Sequence, residues 1–346
     1  MSTPFPWKPL SLADAYTLRP PAPWIVEGLF RSASLNLVFG PPGSLKSLLL
    51  LDLCACVAAG RPWLEPESSG HVEAFKVRQG PTAYIDFDNG EETSLNRLEA
   101  VGRAHKLSSA PIFLTSMATP WLDLTNQGGP PYNPNRVSHA DQLADWIAAI
   151  GGTLVVLDNL GTISGTADEN SNEMVQVMAA LRKVANSTKA AIVVIHHPTK
   201  ADNSIERGHG GIKAALDLAL SVKREQDTVT VECTKARHAE PDPFAARFDY
   251  LSRLDSPDLA TARFWGVPAA VQSLDRQVRA AILDILQQQG SLNQSQVLAE
   301  VNKRMAKVSL RRVRTALDYL VHRGLVSETP GPIHNAHIYA AVPMRP

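Results

Sequence analysis

The chain has little cysteine: Cys54, Cys56 and Cys233 are the only three in 346 residues. Their spacing matches neither a zinc site nor a disulfide framework, which argues against a fold stapled by metal or cross-links. Cys54 and Cys56 lie in an apolar stretch and read as core thiols. Long apolar runs are missing too. None approaches the roughly 18 to 20 residues that a membrane-spanning helix requires. The first residues, MSTPFPWKPLSLADAY, lack the basic segment followed by an apolar one that marks a secretory signal. No membrane partner is expected, and the expected compartment is the cytoplasm. There is also no net charge, with 34 basic and 34 acidic residues. The balance is uneven along the chain. Residues 271–346 hold ten Lys/Arg and five Asp/Glu, which leaves 24 and 29 for residues 1–270. A basic tail on an acidic body suggests that the tail meets a polyanion, and a plain solubility pattern fits the same numbers.

Hydrophobic residues make up 44% of the chain, enough for a substantial core. The length suits two ordinary domains, or one large and one small. The most informative stretch is NLVFGPPGSLKSLLL, residues 36–50. An apolar run ends in Gly40, then Pro41, Pro42, Gly43, Ser44 and Leu45 lead to Lys46-Ser47 and a leucine run. That order predicts a strand, a tight loop and a helix start. Backbone N–H groups of such a loop and of the helix N-terminus cradle the phosphates of a nucleotide. Lys46 is placed to reach the β- and γ-phosphates and the Ser47 hydroxyl to ligate Mg²⁺. The pattern G-x-x-x-x-G-K-[ST] is met except that Leu45 stands where its second glycine belongs. A Pro/Gly turn with a solvated lysine is the plainer alternative.

Short apolar runs at 34–39, 82–87, 111–115, 153–158 and 190–196 read as buried parallel strands. Helical patterns at 47–59, 92–104, 139–150 and 173–188 lie between them. This alternation implies an α/β fold with a mainly parallel sheet covered on both faces. Residues 216–223 and 228–234 read as further strands, the second alternating and near an edge. Ligands of such sheets sit at the carboxyl ends of the strands. Asp88, Asn89, Glu91 and Glu92 follow the second strand, with Asp86 inside it. Asp158 and Asn159 follow the fourth; His196, His197, Pro198, Thr199 and Lys200 follow the fifth. Lys235, Arg237 and His238 follow the last. All are expected to converge on one edge of the sheet. Asp158 closes the run LVVLD, where a carboxylate can hold Mg²⁺ through water or cap a helix.

The ordered segments PWIVEGLF, GPPGSLKS, YIDFDNGEE, LVVLDNLGTISGTADENSNE, VVIHHPTK, RGHGGIKAALD and TKARH span about residues 24–248. Together they resemble the RecA-fold hexameric ATPases of the plasmid RepA helicase type, relatives of the replicative DnaB helicases. The resemblance implies a homo-oligomeric ring, a hexamer, with ATP and Mg²⁺ between neighbouring subunits and single-stranded DNA in the pore. Position by position, Lys46 and Ser47 match the phosphate-loop lysine and the Mg²⁺ ligand, and Asp158 matches the Mg²⁺-coordinating acid. Asp88 stands at the acid that orients the attacking water, usually a glutamate. His196 and His197 stand where a polar residue senses the γ-phosphate. Lys235 and Arg237 match the basic pair pushed into the neighbour's site. Arg207 is implied to face that interface or the DNA, and Gly208–Gly211 to be a mobile loop near the pore. Two departures stand out. Leu45 replaces a glycine that approaches phosphate closely or takes an unusual φ. Asp88 is one methylene short, so Glu91 or Asp86 could substitute. Both leave ATP binding expected and fast hydrolysis open.

Residues 252–270 (SRLDSPDLATARFWGVPAA, from Ser252) lack clear periodicity and read as a linker, so the body is expected over 1–251 and a small domain over 271–346. In the latter, three helices are predicted at 275–289, 293–306 and 309–323, followed by a two-stranded wing at 325–328 and 337–342. Val278, Ile282, Ile285 and Leu286 share one helical face. Ser309 suits the N-cap of the third helix, which exposes Arg311, Arg312 and Arg314. This is the layout of a winged helix-turn-helix, whose third helix reads duplex DNA or, in other cases, docks on a protein. The expected activity is an ATP-driven DNA translocase or helicase serving replication of a plasmid, phage or mobile element, with possible replication-protein partners. The alternative is an ATP-gated DNA-binding regulator or loader that hydrolyses slowly.

Overall fold

A computed structural model describes residues 9–18, 20, 23–66, 72–116, 122, 124, 138–164, 172–197, 210–238, 240–269, 274–305, 307–322, 324–331 and 337–342. The chain opens with the short helix α1 (Leu12–Tyr16) and a small hairpin, β1 (Trp24–Val26) and β2 (Phe30–Arg31). There follow β3 (Leu35–Phe39), α2 (Lys46–Ala59), β4 (Thr82–Asp86), α3 (Glu91–Ala104), β5 (Ile112–Ser116), α4 (His139–Ile150) and β6 (Leu154–Asp158). Next come α5 (Leu160–Ile163), α6 (Asn172–Thr188), β7 (Ala191–His196), α7 (Gly210–Ala215), β8 (Leu218–Glu225), β9 (Thr228–Ala236), β10 (Phe244–Ser252) and β11 (Leu259–Val267). The tail holds α8 (Leu274–Gln289), β12 (Leu292–Asn293), α9 (Gln294–Arg304), α10 (Leu310–His322), β13 (Val326–Pro330) and β14 (His337–Ala341).

One nine-stranded sheet, in the order β11-β10-β9-β8-β3-β7-β6-β4-β5, organises the body. From β8 to β5 every pairing is parallel. From β8 to β11 every pairing is antiparallel. The parallel strands are buried on both faces, which is why they read as unbroken apolar runs. Within β6, Leu154 and Val156 pack with α2 and α3, whereas Val155 and Leu157 pack with α4 and α6. Helix α2 is buried on nearly all sides because the sheet, α3 and β11 surround it. Among the described residues, no helix is long and apolar enough to cross a membrane.

The antiparallel half corrects the sequence reading in two places. Thr228–Ala236 is an interior strand, since β10 and β11 lie outside it. The stretch 252–270 is not a linker, because Leu259–Val267 is the outermost strand of the sheet. Its burial pattern is one-sided, with Ala262 and Phe264 buried and their neighbours only partly so. Scattered Asp and Pro in the turn before it mask that alternation. A buried carboxylate fastens the strand to the body. Asp52, in the middle of α2, is fully buried. It bonds with His105 Nε2 at 2.7 Å and accepts from Trp63 Nε1 at 3.0 Å and the Phe264 backbone N–H at 3.3 Å. Three donors from three segments satisfy a group that would otherwise be costly to bury.

The tail has its own core, built from Val278, Ile282, Ile285, Val297, Val301, Val313, Leu317, Leu320, Val326 and Tyr339. Its sheet has three strands, β12-β14-β13, rather than two. The extra strand is the short β12, which ends in the N-cap of α9: Asn293 and Gln296 form a capping box there. Ser309 caps α10 by accepting from the Arg312 N–H at 3.3 Å. Arg311, Arg312 and Arg314 are exposed, while Val313, Ala316, Leu317 and Leu320 face the core. Arg279 of α8 lies over the Tyr319 ring of α10 and pairs with Asp242 of the body.

The corrected boundary makes a direct prediction. A chain ending after residue 269 should melt cooperatively, and one ending after residue 251 should not. Losing the Phe264 side chain alone costs about 3–5 kcal/mol, against a total stability of about 5–15 kcal/mol. Removing β11 also strips Asp52 of a donor. Thermal melts followed by circular dichroism decide it; equal transitions in both chains would restore the boundary at 251.

Candidate functional site

The site begins where β3 ends. Gly40 passes so close to β8 that a Cβ there would overlap the Val222 carbonyl, so only glycine fits. Gly43 has φ +77° and Leu45 φ +65°. The leucine therefore keeps the left-handed conformation for which the motif uses glycine. This costs about 1–2 kcal/mol, offset in part because the Leu45 side chain packs against the core. Leu45 is also the N-cap of α2 and supplies no side-chain cap, so the first N–H groups of that helix have no capping side chain. N–H groups so placed suit an anion.

Lys46 is buried. Its Nζ donates to the Gly40 carbonyl at 2.8 Å, the Pro41 carbonyl at 2.9 Å and Ser44 Oγ at 3.1 Å. Burial lowers its pKa to about 8, against the opposing pull of the Asp158 and Asp88 carboxylates. Asp158, at the end of β6, is buried too, and burial lifts its pKa to about 6 while the Ser47 and Tyr84 hydroxyls hold it down. The Tyr84 hydroxyl donates to Asp158 Oδ2 at 2.7 Å and lies 3.3 Å from the Ser47 carbonyl. Burial keeps that phenol protonated by pushing its pKa well up. Asp158 Oδ1 is buried with no hydrogen-bond partner among the described residues. An unpartnered carboxylate oxygen beside a serine hydroxyl is a hard-oxygen donor set, and it fits Mg²⁺.

Asp88 lies across the same cleft. Both its oxygens are 2.7 Å from Asn159 Nδ2, which donates to them, and Oδ2 is 3.7 Å from His197 Nε2. Asp88, Asp158 and His197 bring their ligand atoms within 4.8 Å of one another. Burial lowers the pKa of His197, helped by the nearby Lys46 charge and opposed by Asp88. Asp86 is occupied otherwise. It accepts from the Asp88 and Asn89 N–H groups at 3.0 Å each and from Ser94 Oγ at 2.8 Å, which fixes the turn into α3. It is therefore no substitute for Asp88. The profile of the AAA domain family matches residues 2–203, more than half of the chain. The chain belongs to the AAA domain family.

An AAA domain of this kind is a P-loop ATPase domain, which supports nucleotide binding and ATPase activity in general for this chain. The matched span covers the whole cluster and stops before β8. The parallel strands deliver Lys46, Ser47, Asp88, Asp158 and His197 to one rim of the sheet, as expected. Glu91 is exposed in the first turn of α3, and His196 is buried as the last residue of β7. Arg207 lies outside the described residues, as do residues 198–200 and 208–209, while Gly210 and Gly211 open α7.

Lys235, Arg237 and His238 do not converge on this rim. β9 runs antiparallel to β8, with Leu218 opposite Ala236 and Glu225 opposite Thr228. Its end therefore lies beside Asn36, at the start of β3, and the loop follows the other end of that strand. There Lys235 donates to the Lys213 carbonyl, Arg237 donates to the Ala214 carbonyl and lies 3.6 Å from Asp217, and His238 bonds with Arg31. The turn at Gln226–Asp227 reverses the chain. A rule that looks only at the residues after each strand misses the reversal. Tyr84 is a site residue that the sequence pattern does not single out, since it shows only as a polar ring in the apolar run TAYID. Asn159 is expected on the rim from its position after the fourth strand, and its bond to Asp88 comes only from the structure.

A pH dependence arises from Lys46. Its ammonium is the form a triphosphate attracts, and the free protein loses that proton near pH 8. Below that value affinity should be flat. Above it each binding event must take up a proton, so affinity should fall towards tenfold per pH unit, about 1.4 kcal/mol. Titration of a fluorescent ATP analogue between pH 6.5 and about 9.5 reads this directly. A flat profile across pH 8 would refute the placement of the ammonium.

Proposed function

We propose that this AAA-domain protein is an ATP-driven motor of the ring-forming RecA-like type, akin to the plasmid RepA and DnaB helicases, acting on single-stranded DNA. The observation that carries the reading is the separation of two charged sets to opposite ends of one sheet. Lys46, Ser47, Asp88 and Asp158 stand at one end, and Lys235 and Arg237 at the other. A subunit with complementary surfaces on different sides can assemble head to tail, and such contacts form a ring where the rotation between neighbours closes. On this reading Arg237 leaves the Ala214 carbonyl and Asp217 to meet the neighbour's phosphates. An arginine supplied in trans in this way is worth about 10³ to 10⁵ in rate. Lys46 steadies the phosphates. Ser47 and Asp158 would hold Mg²⁺, which would neutralise phosphate charge. Asp88 orients water, and the Asn159 amide fixes its carboxylate. His197, beside Asp88, senses the γ-phosphate. The tail acts as a winged helix, with Arg311, Arg312 and Arg314 on duplex phosphates. Replication of a plasmid, phage or mobile element is the setting that suits this combination.

A second reading has one specific observation in its favour. Asp88 is short, and both its oxygens are engaged by Asn159. Slow hydrolysis would then gate DNA binding and drive no movement. One experiment separates the two. ATP turnover is measured with and without single-stranded DNA, followed by strand separation on a forked duplex, with Lys46→Ala as control. The motor predicts DNA-stimulated turnover and strand separation, both lost in Lys46→Ala by a factor of roughly 10² or more. Turnover indifferent to DNA, with no strand separation, would leave the gated regulator.

A further inference from the structure

The loop is flanked on one side by a strand outside the family match. β8 pairs with β3 as far as Phe39 and Ser221, and then runs on beside the loop. Its Val222 carbonyl forms the wall against which Gly40 packs. Arg224, two residues further on, reaches the loop tip. Its Nη1 donates to the Gly43 carbonyl at 3.2 Å, and its Nε donates to the Gln226 carbonyl at 2.6 Å. Gln226 takes a left-handed φ of 56°, so the turn between β8 and β9 presents its carbonyl to the guanidinium. One planar fork thus joins the turn to the phosphate loop, a geometry that an ammonium cannot reproduce.

We infer that Arg224 is a positioning residue for the nucleotide, acting through the Gly43–Ser44 peptide. In a trans peptide the carbonyl and the following N–H point in opposite directions. Drawing the Gly43 oxygen towards β8 turns the Ser44 N–H the other way. That N–H is 3.3 Å from the Pro41 oxygen, to which Lys46 Nζ also donates at 2.9 Å. The loop N–H and the lysine ammonium therefore converge on one point. A phosphate oxygen there would take both donors in place of the carbonyl. The competing account is a solvated charge at a strand end, because Arg224 is exposed.

The inference rests on the reading of this loop as an ATP site, so the test carries a control for that reading. ATP affinity, KM, kcat and thermal midpoint are measured for the full chain, Arg224→Ala, Arg224→Lys and Lys46→Ala. Arg224→Ala should weaken ATP binding roughly 3- to 10-fold and raise KM more than it lowers kcat, with the melting point held. Arg224→Lys should recover part of the loss, since one donor to Gly43 can be rebuilt. If Lys46→Ala loses binding while Arg224→Ala binds like the parent, Arg224 is a solvated charge and the inference fails. A drop in melting point with no rescue by lysine would make its role merely structural and overturn it as well. Unchanged binding in Lys46→Ala would remove the ATP reading itself, and this inference with it.

Discussion

The parallel register of β3, β7, β6 and β4 is the constraint on which the rest depends. Parallel strands point their carboxyl ends the same way, so every loop leaving them opens on one rim. Phe39 pairs with His196, Asp158 with Ile195, and Asp86 with Asp158. That ladder brings the phosphate loop, the turn at Asp88 and the end of β6 together, although they are far apart in sequence. A slip of one residue in β6 would turn Asp158 to the opposite face and replace it with an apolar neighbour. The apolar residues on both faces of β6 make such a slip costly, so the packing of the core fixes the chemistry of the rim.

The same burial shapes the electrostatics. Lys46 and Asp158 are both taken out of water, and each is pushed towards its neutral form: lysine down to about 8, aspartate up to about 6. The Asp158 and Asp88 carboxylates in turn help to hold the lysine charged, since opposite charges in a low dielectric attract strongly. The rim thus carries a lysine and a carboxylate poised near neutrality, an arrangement that structural surfaces rarely contain and functional sites often do.

Much of this was legible in the sequence, and the reasons for the rest are physical. The run from Leu37 to Lys46-Ser47 predicts strand, loop and helix because a short apolar run suits a buried strand, proline fixes φ, and glycine tolerates the left-handed backbone of a tight turn. Asp158 stands out because it ends an apolar run. Strand direction is a different matter. Thr228–Ala236 has the same alternation whether it runs up or down, and only the turn at Gln226–Asp227 decides. Reading it in the wrong direction puts Lys235 and Arg237 on the wrong end of the sheet. The strand Leu259–Val267 is hidden for a related reason. It is an edge strand with one buried face, and its fastening to Asp52 is a contact between residues some two hundred positions apart. Leu45 stands where the pattern has glycine, and it adopts the glycine-like φ, which no residue-by-residue pattern reveals.

The central claim is that a working ATP site needs the loop of one subunit and the basic pair of the next. The most direct test mixes two inert variants, Arg237→Ala and Lys46→Ala, after native mass spectrometry has shown that they co-assemble. In an equal random mixture about a quarter of head-to-tail interfaces would join an intact loop to an intact Arg237. The account predicts that ATP turnover in the mixture rises well above that of either variant alone. Turnover that stays at the level of the separate variants, in rings shown to be mixed, would contradict it.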